Sequence, residues 1–236
     1  MPTLHTLWTI VVPILVALAA PAQEKAAPAA EKKRDATAED LATAIASLPE
    51  EARQAQYARQ KADYIGADGT LKRDSTRAKD ELAEPTQFDC TTFSSPVLHA
   101  LVKGSLAGFQ PRKANGKGNE VAALYGLSAT LASPTNDLIK NIVDATWREK
   151  NAGVYYFDLR IPKDGHVGFL VITKDGATAT HFSGSKTKDK PNGGLAAQDA
   201  AAFATYIEKS RYKLDAKGTI TLYRIVVPDK PTPPGK

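Results

Sequence analysis

The spacing of hydrophobic positions changes several times along the chain, and each change marks an element. Thr37-Ala38-Glu39-Asp40 reads as an N-cap followed by acids in a first turn, and a second cap-like break falls at Ser47-Leu48-Pro49-Glu50-Glu51. The pattern predicts helices over 38–46 and 49–64, the second one ended by the turn residues Ile65-Gly66-Ala67-Asp68-Gly69. The polar stretch up to Gln87 has no clear period. Two further helical patterns run over about 120–131 and 134–150. Ser133-Pro134 supplies a cap and a first-turn proline for the latter, whose Leu138, Ile139, Ile142, Val143, Thr146 and Trp147 share one face expected in the core. From Gly153 the period becomes two. Residues 154–161 and 166–173 predict strands, Asp175-Gly176 a two-residue hairpin turn, and 177–182 the returning strand. A Gly/Lys-rich loop from Ser183 to Gly194 leads to a predicted helix over 195–209, striped by Phe203, Tyr206 and Ile207, and 219–227 predicts a last strand. Helices first, then a mostly antiparallel sheet with one helix inserted, is an α+β layout.

The two ends read differently from the middle. The first 22 residues hold no Lys, Arg, Asp or Glu and run apolar from Leu7 to Ala20-Pro21-Ala22, which predicts a secretory signal cleaved near Ala22. The start lacks the usual positive charge, so an uncleaved membrane anchor is the alternative, and membrane contact is expected only in that case. Residues 23–36 are almost wholly Ala, Pro, Glu, Lys and Arg and predict a flexible tether, and 228–236 form a Pro-rich tail. With 236 residues, 42% of them hydrophobic, the remainder suits one domain over 37–227. The protein is expected to be exported and monomeric. Its net charge of +5 favours a cell-wall peptide or another anionic envelope polymer as partner. Nucleic acid is not expected, because the positive residues are interleaved with acids and form no basic stripe.

Cys90 is the one cysteine, so no internal disulfide forms. A lone thiol with a histidine downstream is the minimal equipment of a cysteine nucleophile and its base. Asp89 is placed to cap a helix whose first turn holds Cys90, and a helix start lowers a thiol's pKa. Pro96 either kinks that helix or, as Ser95-Pro96, begins it. The plainer reading stays open: Cys90, Phe93, Val97 and Leu101 share a helical stripe, which would make the thiol a small core residue. His166 opens a strand within Gly165-His166-Val167-Gly168, and His181 lies on the strand that returns through Asp175-Gly176. Hairpin closure there sets opposite residues at numbers summing to about 351, which puts His166 across from about position 185 and His181 diagonal to it. A base oriented by a third polar group is the generalised triad. His99 and His5 have no partners that the sequence names. No close-spaced ligand pairs, Gly-rich phosphate loop or Gly-x-Ser-x-Gly elbow is found, so neither a metal nor a cofactor is expected.

Three motifs in order, Asp89-Cys90-Thr91, Gly165-His166-Val167-Gly168 and Thr180-His181-Phe182-Ser183, resemble the NlpC/P60 superfamily of papain-like cysteine peptidases and amidases over roughly residues 88–183. The resemblance implies a papain-like α+β fold with N-terminal helices carrying the nucleophile on a mostly antiparallel sheet. It further implies Cys90 as nucleophile, His166 as general base, His181 as its orienting partner, and amide bonds of cell-wall peptides as substrate. Thr91-Thr92 stands where the family often has Ser-Gly, and Tyr64 is the nearest upstream tyrosine. These departures motivate a reading from another class, a non-catalytic envelope-binding module with a degenerate site.

Overall fold

The structure is a computed structural model that describes residues 32–58, 62–73, 86–111, 117–161, 164–184, 192–209 and 218–229. The expected signal over 1–22 and most of the tether and tail lie outside the described residues. One compact unit contains all the described elements. Its helices are α1 (Ala38–Ala46), α2 (Glu50–Arg53), α3 (Cys90–Lys103), α4 (Gly118–Leu124), α5 (Thr135–Val143), α6 (Ala145–Lys150) and α7 (Ala200–Lys209). The strands are β1 (Lys33–Asp35), β2 (Gln56–Tyr57), β3 (Tyr64–Ile65), β4 (Leu71–Lys72), β5 (Gln87–Phe88), β6 (Ala129–Pro134), β7 (Gly153–Ile161), β8 (Asp164–Ile172), β9 (Ala177–Ser183), β10 (Gly194–Asp199), β11 (Thr219–Arg224) and β12 (Val226–Pro228). The fold class is α+β, as the sequence predicts.

A six-stranded antiparallel sheet in the order β10-β9-β8-β7-β11-β6 carries helices on both faces. Successive side chains of a strand point to opposite faces, so two cores form. On one side Val154, Tyr156, Val167, Phe169 and Phe182 pack with α1, α3 and α4 through Leu41, Phe93, Val97, Leu98 and Val121. On the other side Tyr155, Phe157, Leu159, Leu170, Ile172 and Ala179 pack with α5 and α7 through Leu138, Ile142, Phe203 and Ile207. Burial on both faces explains why β7 reads Val-Tyr-Tyr-Phe where a one-sided strand would alternate.

Several boundaries depart from the sequence pattern, each for a local reason. Helix 38–46 forms as predicted, with Thr37 and Asp40 in a reciprocal capping box and Arg34 forking onto the Asp40 carboxylate at 2.6 and 2.8 Å. The predicted helix 49–64 stops at Arg53, because Gln56–Tyr57 extends to pair in parallel with Gln87–Phe88, and Tyr57 stacks on Phe182. Helix 120–131 ends early at Gly126, which takes φ 68°, and the residues after it become the edge strand β6. The pattern over 134–150 divides at Asp144, whose backbone turns extended and whose carboxylate accepts from Trp147 N at 2.7 Å to cap α6. Leu138 and Ile142 are core as expected, whereas Val143 is 53% exposed. Residues 195–199, expected as the start of a helix, pair with β9 together with Gly194, and α7 begins only after Asp199 accepts from Ala202 N. The last predicted strand leaves the sheet at Ile225 so that β12 can pair with β1, which places Lys33–Asp35 of the expected tether in an ordered ribbon.

Helix α3 is continuous. Asp89 Oδ1 accepts from Thr91 N and Thr92 N at 2.8 and 2.7 Å, and Thr92 Oγ1 accepts in return from Asp89 N at 3.0 Å. Pro96 lies inside α3 and neither begins nor ends it; Gly104, at φ 73°, closes the far end.

Candidate active site

Strand β8 carries His166 and neighbours the other two candidates, His181 on β9 and Cys90 at the start of α3. Its hairpin with β9 closes through the pairs Ile172–Ala177 and Gly168–His181, whose numbers sum to 349, two less than the turn signal predicts. His181 therefore sits diagonally from His166 on the same face, as expected, and His166 Nε2 lies 2.7 Å from His181 Nδ1. His181 Nε2 in turn lies 2.9 Å from Gln198 Oε1 on β10. This chain fixes the protons. With the Gln198 carbonyl as acceptor, His181 carries its proton on Nε2 and accepts on Nδ1, so His166 donates from Nε2 and keeps a lone pair on Nδ1.

The rings are held by packing as well as by hydrogen bonds. His166 and His181 are 3% and 0% exposed, and Phe157, Phe203 and Tyr206 surround them on the α7 side of the sheet. Burial lowers the His181 pKa to about 4, since the ring has no water with which to solvate a charge. The imidazole is neutral at pH 7 and orients His166 without supplying a counter-charge. Gly168 leaves the space that lets the second imidazole in: a Cβ there would lie 2.6 Å from the His181 Cβ and 2.8 Å from the Phe157 ring. Gly168→Ala is expected to cost about 1–3 kcal/mol, measured by urea unfolding, because neither a backbone-proximal Cβ nor a packed ring can move aside.

The sulfur approaches β8 from the other side. Cys90 opens α3, packs against the α3-side core, and has its Sγ 3.9 Å from Thr91 Oγ1. Its remaining close partner is the amide of Val167, which donates toward the sulfur just where the β8–β9 ladder has stopped. Neither partner is an imidazole. The structure thus joins His166 to His181 and places the sulfur on the amide of the very next residue, Val167. Strand alternation sets the faces: Val167 faces α3, so His166 must send its ring toward α7. Of the expected triad of Cys90, His166 and His181, the two histidines form a hydrogen-bonded pair, and the sulfur meets the backbone of the residue that follows His166.

Electrostatics around the sulfur hold it as a thiol. Desolvation first, then the neighbouring Asp89 carboxylate, push its pKa up to about 11 against the opposing pull of the Val167 amide and the Thr91 hydroxyl, and Asp164 adds the smallest push. Asp89 itself is raised by burial even though two helix amides hydrogen-bond its carboxylate. Two more polar side chains share this face and were not singled out by the sequence. Asp158, the register partner of Val167, is 3% exposed and ion-paired to Arg160 Nε at 2.7 Å. Tyr156, two residues earlier on β7, is wholly buried. Gln198 was likewise missed. Its only signal was its place in a helical-looking run that folds as a strand.

Comparison of the chain with family models, with curated proteins and with solved structures finds no match.

Proposed function

We propose that this protein is an exported cysteine amidase or peptidase that cleaves amide bonds of cell-wall peptides through an acyl-enzyme on Cys90. The observation that carries the reading is the His166–His181–Gln198 hydrogen-bond chain, an imidazole oriented by polar partners one residue ahead of the Val167 amide that meets the Cys90 sulfur, and in this reading Nδ1 of His166 is the base. In this reading the Cys90 thiol leaves the Val167 amide and turns to that nitrogen when substrate binds. The thiol proton passes to Nδ1, Sγ bonds to the scissile carbonyl carbon, and the carbonyl π electrons move to oxygen. Collapse of this adduct breaks the C–N bond, with the His166 proton going to the departing amine. Water, deprotonated by the same nitrogen, then hydrolyses the thioester and returns the thiol. His181 and Gln198 keep the imidazole in the one tautomer that works in both directions. The N-terminus of α3 stabilises negative charge at Cys90.

The thiol held near pKa 11 on the far side of β8 favours a second reading, in which the chain binds an envelope polymer without cleaving it. Incubation of the wild-type protein with purified peptidoglycan fragments separates the two. Release of new amino groups, counted by mass spectrometry, is the expected result, and intact fragments recovered bound to the protein would leave only the binding reading. Alkylation by iodoacetamide adds a second measure: without substrate it is expected to be slow at pH 7 and to speed up about tenfold per pH unit up to pH 10.

A further inference from the structure

Tyr156 presents a buried polar atom for which the resting structure gives no use. The side chain is 0% exposed, and its hydroxyl has no hydrogen-bond partner among the described residues. A buried hydroxyl left unpaired destabilises the fold relative to a paired one, so phenylalanine would serve the packing against Phe169 and Tyr223 at least as well. Register fixes which way the ring can be useful. Tyr156 and Asp158 are on the α3 side of β7, Asp158 pairs with Val167, and Val167 holds the sulfur. The hydroxyl, Asp158 and Sγ therefore belong to one patch, close enough for the charges of Asp158 and Cys90 to oppose ionisation of the phenol. Burial is the larger cause and these charges the smaller, and together they keep the group a proton donor throughout the working pH range.

We propose that Tyr156 is a catalytic residue, its hydroxyl donating to the oxygen that becomes negative when Cys90 attacks a carbonyl. The proposal rests on the cysteine-hydrolase reading. The hydroxyl and the sulfur are not hydrogen-bonded to each other, so Tyr156 does not hold the resting thiol. An oxygen on a carbon bonded to Sγ stands between the two groups and gives the hydroxyl the partner it lacks. The donor is idle in the ground state and engaged in the transition state, which is the arrangement that accelerates a step instead of tightening substrate binding. The Val167 amide, relieved of the sulfur, is the second donor to the same oxygen.

Tyr156→Phe tests this. On cell-wall fragments kcat is expected to fall roughly a hundredfold with KM nearly unchanged. A probe independent of amidase activity is acetyl-alaninal, a small aldehyde to which the thiol adds: the C–S bond forms, the C=O π bond breaks, and the thiol proton ends on the new oxygen. Its affinity should drop at least tenfold in Tyr156→Phe, while the rate of iodoacetamide alkylation, which creates no such oxygen, stays the same. Equal aldehyde affinity in the two proteins overturns the proposal whether or not fragments are cleaved. A wild type that binds aldehyde through Tyr156 but cleaves nothing overturns the amidase reading alone. If Tyr156→Phe does not fold, 3-fluorotyrosine placed at this one position keeps the shape and strengthens the donor; tighter aldehyde binding supports the proposal and unchanged binding overturns it.

Discussion

Cys90→Ala will abolish release of amines from cell-wall fragments, by at least roughly a thousandfold, while the thermal unfolding of the protein moves little. The two halves of this expectation have separate causes. Activity is lost because the acyl group has no other atom to bond to: the chain has one cysteine, and Thr91 points a hydroxyl at the sulfur from a residue that no imidazole serves. Stability is kept because Cys90 is only partly buried, its helix start is held by the Asp89 and Thr92 capping box, and Ala is the strongest helix former. Mass spectrometry of fragments beside a melting curve checks both at once. Residual cleavage by Cys90→Ala would move the chemistry elsewhere in the molecule.

His181 is expected to make stability fall steeply in mild acid. Its folded pKa of about 4 lies below the ordinary value of 6.5, so between those values the unfolded chain takes up a proton that the folded chain refuses. The contribution is present in full above pH 6.5 and is lost as pH drops through 4, amounting to about 3 kcal/mol for a shift of this size. Urea unfolding of the wild type across that range, compared with His181→Gln, isolates it, because Gln can still accept from His166 and donate to Gln198 but does not titrate. The variant should be flatter with pH by about that amount. Parallel curves would mean that the ring is solvated or charged in the folded state.

Local signals in the sequence were enough wherever the interactions that decide an element are local. The cap at Thr37, the Asp89 cap ahead of Cys90 and the β8–β9 hairpin follow from residues within a few positions of one another, although the turn closes on Thr173 and Gly176 around Lys174-Asp175, one residue before the Asp175-Gly176 signal. The pattern failed where a distant partner decides. Gln56–Tyr57 continues a helical run until Gln87–Phe88 offers backbone groups to pair with, and Gly194–Asp199 extends because β9 has an open edge. Gln198 was invisible for that reason: its side chain reaches His181 only once its segment is a strand. The placing of the sulfur shows a subtler limit. The start of α3 meets the strand that carries His166, but which face each side chain takes depends on strand parity relative to α3, and no spacing between residue 90 and residue 166 encodes that. Tyr156 reads as one more aromatic in an apolar run. Only its unpaired oxygen sets it apart from Tyr155, whose hydroxyl donates to the Asn151 carbonyl at 2.9 Å.

The ribbon of β1 with β12 has a kinetic meaning. As the polypeptide is made from its amino end, Lys33–Asp35 waits for Val226–Pro228, and closing a loop of that length from an open coil would cost on the order of 5 kcal/mol. Collapse of the sheet between them shortens that search before the latch is fastened. The clasp, three residue pairs braced by the Arg224–Asp35 fork, is thus set to be the last piece gained on synthesis and the first surrendered on warming.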